Sequence, residues 1–402
     1  MAHVAGIVLF ALGIGLTIAL HEAGHMYTAR AFGMRVRRFS IGFGPKVAAF
    51  KRGDTEYSLA ALPVGGFCDI AGMTAQDELS AEEAPHAMYA KPAWQRIVVL
   101  SGGVAVNVML GFAILVGVGL NAGLPDPHAD VRARVGETMC TADVLADGSL
   151  APCQGAGPAA VAGVRPGDII TAVNGEPVAD FVELRERILT MPGQTVTLGI
   201  ERQGSQLELP VLVDAVERPS SPGGPAVDVG SIGVASAPVD VMVQHDWSTV
   251  VPATAAFSWD MAKSTVEAII KLPAKVPGVV AAVFGSERAD DSPMSVVGAS
   301  RVGGELVERS LWPAFFMMLA SLNYFLALFN LIPLPPFDGG HIAVVIYEKI
   351  RDAIRRLRGR PALGPADYRG LMPVTYVMAA LLMGFGALVI LADVVNPIRL
   401  FG

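Results

Sequence analysis

Ala19-Leu20-His21-Glu22-Ala23-Gly24-His25 closes an apolar stretch that opens near Val4. A helix of that length crosses a hydrocarbon core of about 30 Å, so three ionisable side chains stand at the inner end of a membrane span. Histidines four apart share a helix face, and both imidazoles can reach one Zn²⁺. Glu22 lies beside them, placed to take a proton from a water. Ionisable groups inside a span are costly and are functional candidates by default. The plainer alternative is a pair of interfacial histidines with a snorkelling glutamate.

Three further stretches qualify as spans: about Ile97 to Leu120, Trp312 to Ile332, and Val374 to Leu391. The composition agrees. The chain has 402 residues, of which 52% are hydrophobic and 17% charged, against about 25% charged in soluble chains. Mean hydropathy is +0.49. The fold class implied is a polytopic α-helical membrane protein with about four transmembrane helices and a sizeable aqueous part. The composition argues against a wholly soluble enzyme, a disordered chain and a transporter made almost entirely of helices. The net charge of −7 gives no reason to expect nucleic acid as a partner. The first span lacks a basic n-region and is too long for a signal h-region, so it is expected to remain in the protein.

The flanking charges set an orientation. Arg30, Arg35, Arg37, Arg38, Lys46, Lys51 and Arg52 follow the first span with no acid among them before Asp54. Lys349, Arg351, Arg355, Arg356, Arg358 and Arg360 follow the third. The positive-inside bias places both segments in the cytosol. Residues 121–250 instead carry 17 acids and 7 arginines, as an exported domain readily can. The expected topology has the N-terminus out, 27–96 in, 121–311 out, 333–373 in, and the C-terminus out.

The exported segment carries its own fold signals. Asp180 reads as a helix cap with Glu183 three residues on, and Phe181, Leu184 and Ile188 share a face. Val196, Leu198 and Ile200 alternate, as do Leu207, Leu209, Val211 and Val213, with Gly204 between them, which predicts a hairpin. Asn174-Gly175 marks a second tight turn. The stretch Gly157-Pro-Ala-Ala-Val-Ala-Gly-Val-Arg-Pro-Gly-Asp-Ile-Ile-Thr-Ala-Val-Asn-Gly175 resembles the bacterial PDZ domain over about residues 127–215, an α+β unit that implies peptide binding by strand addition. A small β domain that only packs on its neighbours is the alternative. Cys140 and Cys153 lie in this exported segment and are a disulfide pair candidate, or two separate thiols. Cys68, on the cytosolic side, is expected to be free. Arg218 to Ala226, rich in Pro, Gly and Ser, reads as a linker. Beyond it Asp260, Lys263, Glu267 and Lys271 charge one helical face, with Phe257, Met261, Ala268 and Leu272 towards another, which predicts an amphipathic helix on the outer leaflet and not a fifth span. The expected division is 1–126 (first half of the membrane core, with a β loop near 41–66), 127–215 (PDZ-like), 216–311 (extracytoplasmic linker with the amphipathic helix) and 312–402 (second half of the core).

A catalytic zinc needs three protein ligands and one open position. The third candidate is Asp338, in Asn330-Leu-Ile-Pro-Leu-Pro-Pro-Phe-Asp-Gly-Gly340. Three prolines in four positions stop the third span there, and Gly339-Gly340 lets backbone approach closely. Alone, Asp338 reads as well as an N-cap. Spans one and three, however, run in the same direction and end at the same boundary, which brings Asp338 to the depth of the histidines. Asn107 and Asn330 are candidates for holding substrate backbone or an oxyanion, or else for helix–helix hydrogen bonds. Asp393 is expected at the outer interface.

His21-Glu22-x-x-His25, the stretch from Asn330 through Pro333 to Phe337-Asp338-Gly339, and the PDZ-like insertion between them resemble the site-2 protease family of intramembrane zinc proteases. The order and spacing, with Ser295-Val-Val-Gly298 and the closing Asn396-Pro-Ile-Arg-Leu-Phe401, are similar to the actinobacterial Rip-type members. The resemblance implies one catalytic Zn²⁺ held by His21, His25 and Asp338, with Glu22 as base. It implies cleavage of a membrane-embedded helix of a single-pass protein, typically an anti-sigma factor, in a bacterial cell membrane. It also implies a re-entrant β element around Gly42-Phe-Gly-Pro45 and Val64-Gly65-Gly66, beside the metal on the cytosolic side. Two positions depart from the family pattern. Phe337 stands where Leu is usual, and Gly103-Val104-Ala105-Val106-Asn107 lacks the usual proline, so the kink there would rest on Gly102-Gly103. Two other classes of reading are a catalytically inactive membrane-anchored PDZ scaffold and a metal transporter; the transporter explains neither Glu22 nor the exported domain.

Overall fold

The first apolar stretch forms one helix longer than the span requires. This helix, α1 (Ala2–Ala31), continues past His25 to carry Arg30 in its last turn. The computed structural model describes residues 1–126, 129–144, 151–219, 226–239, 241–286, 288–289, 291–398 and 400. After α1 come β1 (Val36–Arg52), β2 (Thr55–Ile70), α2 (Ala93–Leu100) and α3 (Gly102–Asn121). The middle of the chain is rich in strand: β3 (Leu124–Pro125), β4 (Ala133–Thr138), α4 (Pro158–Val161), β5 (Ile169–Val173), β6 (Glu176–Pro177), α5 (Phe181–Leu189) and β7 (Thr195–Arg202). It continues with β8 (Ser205–Leu212), β9 (Asp214–Pro219), β10 (Ala226–Ser231), β11 (Val234–Ser236) and β12 (Met242–Val243). Helices return as α6 (Val250–Val283), α7 (Val296–Glu308), α8 (Trp312–Asn330), α9 (Asp338–Leu357) and α10 (Met372–Val395). The chain forms two compact units, 1–124 with 244–401, and 125–243.

In the first unit α1, α3, α8 and α10 are long and apolar enough to cross a membrane, the four stretches expected. The second span differs from expectation at its start. Ser101 ends α2, and the membrane helix begins afresh at Gly102, so the break survives without a proline. The reason is close backbone contact: a Cβ on Gly24 or Gly102 would run into the other's backbone. The N-terminal half of α1 is held by α7, a helix the sequence pattern did not reveal. Gly6 meets Gly304, and Gly303 meets the Phe10 ring, each too close for a Cβ.

The strands of the first unit are longer than the expected 41–66 and fold back on themselves. Arg38 to Ile41 have partners on both sides, Asp69 to Gly66 on one and Glu56 to Leu59 on the other. Segment 46–52 pairs with 55–60 beyond them. Segment 66–70 therefore lies at an edge of this sheet, which contains no third strand among the described residues.

Two expectations about 250–396 change. Helix α6 exposes Asp260, Lys263, Glu267 and Lys271 as expected. Its packed face is Thr254, Ser258 and Thr265, with Phe257 and Met261 against Leu115 and Tyr324. Ala268 is exposed instead. Ser258 and Thr265 are accommodated on this face because Tyr324 Oη donates to Ser258 Oγ at 2.7 Å and Thr265 Oγ1 to the Met261 carbonyl at 2.7 Å, so the apolar pattern alone misplaced it. Asp393 has a structural partner that its place near the end of the fourth span did not suggest. It is buried, pairs with buried Arg288 at 2.8 Å, and accepts the Ser295 and Gly298 amides that open α7. Arg288 compensates the charge, as burial requires.

The second unit is built on an antiparallel sheet in the order β11-β4-β5-β7-β8, with β6 on β5. Asp180 caps α5 by accepting the Glu183 amide at 2.8 Å, and Glu183 reaches back to the Ala179 amide at 2.7 Å. Val196, Leu198, Ile200, Val211 and Val213 are buried in its core with Leu184 and Ile188, while Leu207 is exposed at the hairpin end. Asn174 and Gly175 both take positive φ, 52° and 82°, as a two-residue hairpin turn requires. Cys140 and Cys153 are joined, their Cα atoms 5.9 Å apart. The linker expected from Arg218 is corrected. β9 and β10 pair from Asp214–Ser231 to Pro219–Ala226, and β11 joins β4, so the unit runs to 243 rather than 215. Alternating Val227 and Val229 beyond the Pro/Gly/Ser run carry the strand pattern that the linker reading overlooked. Residues 220–225 of that stretch, and Arg399 and Phe401 of the closing motif, lie outside the described residues.

Inside this unit Asp168 is nearly inaccessible and receives a two-pronged bond from Arg202, 2.7 Å on each oxygen. Burial alone would push its carboxyl up, but the Arg202 fork and the Arg165 amide outweigh burial and hold it below the usual carboxylate range. Its stabilisation is therefore complete above the unfolded value of about 3.9 and fades as pH falls below it. Arg202→Met should cost ~3 kcal/mol at neutral pH by leaving a buried carboxylate unpaired. Amide hydrogen exchange of peptides within 163–213 should show that gap, and show it narrowing at about pH 3.

Candidate active site

Helix α1 supplies three of the candidate side chains, His21, Glu22 and His25. His21 and His25 are buried, at 8% and 7% exposure. Phe10 and Ile14 are anchored against Phe315 on one side of them, and Met26 and Ala29 in a second cluster on the other. Asp338 comes from the far end of the sequence as the first residue of α9. It does not act as an N-cap: Phe337 holds that position, and the helix start has no side-chain cap. Gly339 and Gly340 press against backbone of Leu331 to Pro335, where a Cβ would collide. That approach turns α9 back so that Asp338 faces the imidazoles.

The three donors converge. His21 Nε2 and His25 Nε2 are 3.2 Å apart, and Asp338 Oδ2 lies 3.4 Å from the first and 3.3 Å from the second. A tetrahedral ion with bonds of about 2.0–2.1 Å sets its donors about 3.3 Å apart, so this triangle has the size of one face of a zinc site. The chemistry of the donors agrees. His25 Nδ1 donates to the Val99 carbonyl at 2.8 Å, which fixes the proton there and leaves Nε2 as a lone pair. Asp338 Oδ2 is buried without a hydrogen-bond donor among the described residues, an arrangement that calls for a cation. The residues present fit zinc.

A cavity of about 540 Å³ opens onto the triangle. Glu22 lines it together with Asn107, Asn330, Cys68 and Gly66 of β2. Glu22 Cγ comes so near Gly66 that a Cβ there would sit at 3.0 Å. Asn107 is completely buried, and neither amide atom has a partner among the described residues; the helix–helix bond considered for it is not made. Asn330 borders the same space. Cys68 is a free thiol, pushed above its ordinary value by burial and by the nearby Glu22 and Asp69 carboxylates, and lies outside the donor cluster. Cys140 and Cys153 belong to the other unit and take no part.

Sequence reasoning missed two supports of this site. The Val99 carbonyl has no side-chain signature. Gly103, noted only for its bearing on the α3 break, is a cradle: a Cβ there would lie 2.5 Å from His25 Nε2 and 2.7 Å from His21 Nε2. Gly103→Ala should therefore abolish tight zinc retention, which elemental analysis of purified protein would show as near-zero stoichiometry. Val104→Ala, one position on, should keep the wild-type value.

A family profile, Peptidase family M50, matches residues 9–366. The chain is 45% identical to the zinc metalloprotease Rip1 of Mycolicibacterium smegmatis over 98% of both chains. It is 44% identical to Rip1 of Mycobacterium tuberculosis over the full length of both. A putative zinc metalloprotease of Nostoc sp. is 28% identical over 94% of this chain and 93% of its own. With a profile that runs from the first span past Asp338, and Rip1 relatives aligned over nearly the whole chain, this chain belongs to peptidase family M50.

Proposed function

We propose that this chain is a zinc-dependent intramembrane protease in which His21, His25 and Asp338 hold the metal and Glu22 is the catalytic base. The observation that carries the reading is the meeting of donors from α1 and α9 in a zinc-sized triangle, with a carboxylate beside it, in a unit containing four membrane-length helices. When bound, zinc polarises the scissile carbonyl and makes a water more acidic. Glu22 accepts the proton of the attacking water and delivers it to the departing amine nitrogen as the C–N bond breaks. Asn107, unpartnered in the cavity, holds a carbonyl or amide of the opened segment, and Asn330 borders the same segment.

The substrate is a membrane-embedded helix of a single-pass protein, an anti-sigma factor by the family resemblance. Such a helix hides its amides in internal hydrogen bonds and must be unwound before attack. Segment 66–70, at a sheet edge and lining the cavity, offers replacement partners for the exposed strand. By the charge bias, the protein sits in a bacterial cell membrane with its N-terminus and the 125–243 unit outside and the metal near the cytosolic boundary. The 125–243 unit acts as a PDZ-like module. Its end strand β11 and helix α5 border a cleft lined by Phe181, Leu184, Ile188 and Val234, suited to an added peptide strand or to a substrate ectodomain.

The test is cleavage of a membrane substrate by purified protein, with zinc measured in parallel. Glu22→Gln should retain zinc and lose activity by about 10³-fold, whereas Asp338→Ala should lose both. Wild-type turnover by Glu22→Gln would overturn the assignment.

A further inference from the structure

Helix α9 does more than present Asp338. Past its first two turns it packs on α2 through a buried side: Val345 joins the cluster containing Val99 and Leu100, and Glu348 pairs with Arg96 at 2.6 Å, both buried. Opposite that side, Ile346, Ile350, Ile354 and Leu357 recur at three- and four-residue spacing. They are 44, 56, 44 and 88% exposed. Four large apolar side chains in one stripe along roughly three turns are not a scattered surface. The helix is not a span, since Glu348, Lys349, Arg351, Asp352, Arg355 and Arg356 interrupt it. From its C-terminal half as far as Arg360 the exposed charges are cations: Lys349, Arg356, Arg358 and Arg360. Asp352, the acid in this stretch, is already engaged by Arg351 and by the Leu363 and Gly364 amides.

An apolar stripe flanked by cations on a helix that cannot cross is the pattern of an interfacial helix. We propose that α9 is an interfacial anchor: the isoleucine–leucine stripe beds in the acyl chains, and Lys349, Arg356, Arg358 and Arg360 bind anionic phospholipid headgroups. Charge complementarity selects the anionic lipid over a zwitterionic one. Because Asp338 is the first residue of the same helix, seating the distal half restrains the direction from which this carboxylate meets the imidazoles. The anchor rests on the membrane-spanning character of the chain and not on any catalytic assignment.

The test places a nitrobenzoxadiazole label at Ile354→Cys, with Cys68→Ala so that one thiol reacts, in full-length protein in nanodiscs. Discs of phosphatidylcholine alone are compared with discs that also contain phosphatidylglycerol, and aqueous iodide quenching is read. A label at Gln206→Cys, on an exposed residue of the other unit, controls for general access. Each cation near an anionic surface contributes on the order of a fivefold preference, so even one engaged cation sets the smallest fall expected. Iodide quenching at 354 should fall on the order of fivefold on adding phosphatidylglycerol, and the fall should vanish when all four cations are changed to Gln. The control should not move. Equal shielding at 354 in both disc types would overturn the headgroup assignment. Free access in both would overturn the anchor, and shielding that needs an added soluble protein would replace the lipid by that protein.

Discussion

A carboxylate held 3.4 and 3.3 Å from two buried imidazole nitrogens is the constraint on which the first unit is arranged. No hydrogen-bond donor satisfies Asp338 Oδ2 among the described residues, and burying an uncompensated charge costs several kcal/mol. Positive charge at the centre of the triangle compensates the carboxylate, and a divalent cation supplies it while engaging all three donors at once. What the surrounding helices must do is bring three donors from two remote segments within one ion's reach and keep them there.

Glycine makes that approach possible. Gly24 and Gly102 let α1 and the start of α3 touch backbone to backbone, Gly103 leaves room for both imidazoles, and Gly339 and Gly340 let α9 fold back on the turn before it. Each forgoes side-chain packing, and each would cost about 1 kcal/mol relative to Ala in a helix free of tertiary demands. Here the sign reverses, because a methyl group at any of these positions meets atoms that cannot retreat. The same logic holds α7 against α1 through Gly303 and Gly304, while the Arg288–Asp393 pair fixes the amino end of α7.

Much of this was legible in the chain, and the division has a physical basis. Spans declare themselves because length and apolarity are additive along the sequence, and the His21–Glu22–His25 group because charge inside such a span needs a reason. The α5 cap and the Asn174–Gly175 turn were legible because local hydrogen bonding and positive φ demand particular residues. The failures share another cause. The Val99 carbonyl is backbone, and any residue carries one. Gly103 was visible as a glycine, but its role depends on a neighbour 78 positions away in the chain. The pairing of Asp393 was hidden because its partner, Arg288, is more than a hundred residues earlier. The register of β1 and β2, with 38–41 paired on both sides, cannot be read from alternation, which gives faces but not neighbours.

The proposed ligands lie on opposite sides of a large insertion, and polymer physics explains why that is tolerable. His21 and Asp338 close a loop that contains the whole 125–243 unit, yet doubling a loop's length costs only about 0.6 kcal/mol. Deleting the unit would shorten the loop by less than half, so its presence weakens the meeting of α1 and α9 by a fraction of that amount. The unit has its own apolar core and its own disulfide, which allows it to fold without drawing on the membrane helices. A module so placed is connected to both halves of the proposed metal site by the chain itself, and it can change its surface with little penalty to the three donors.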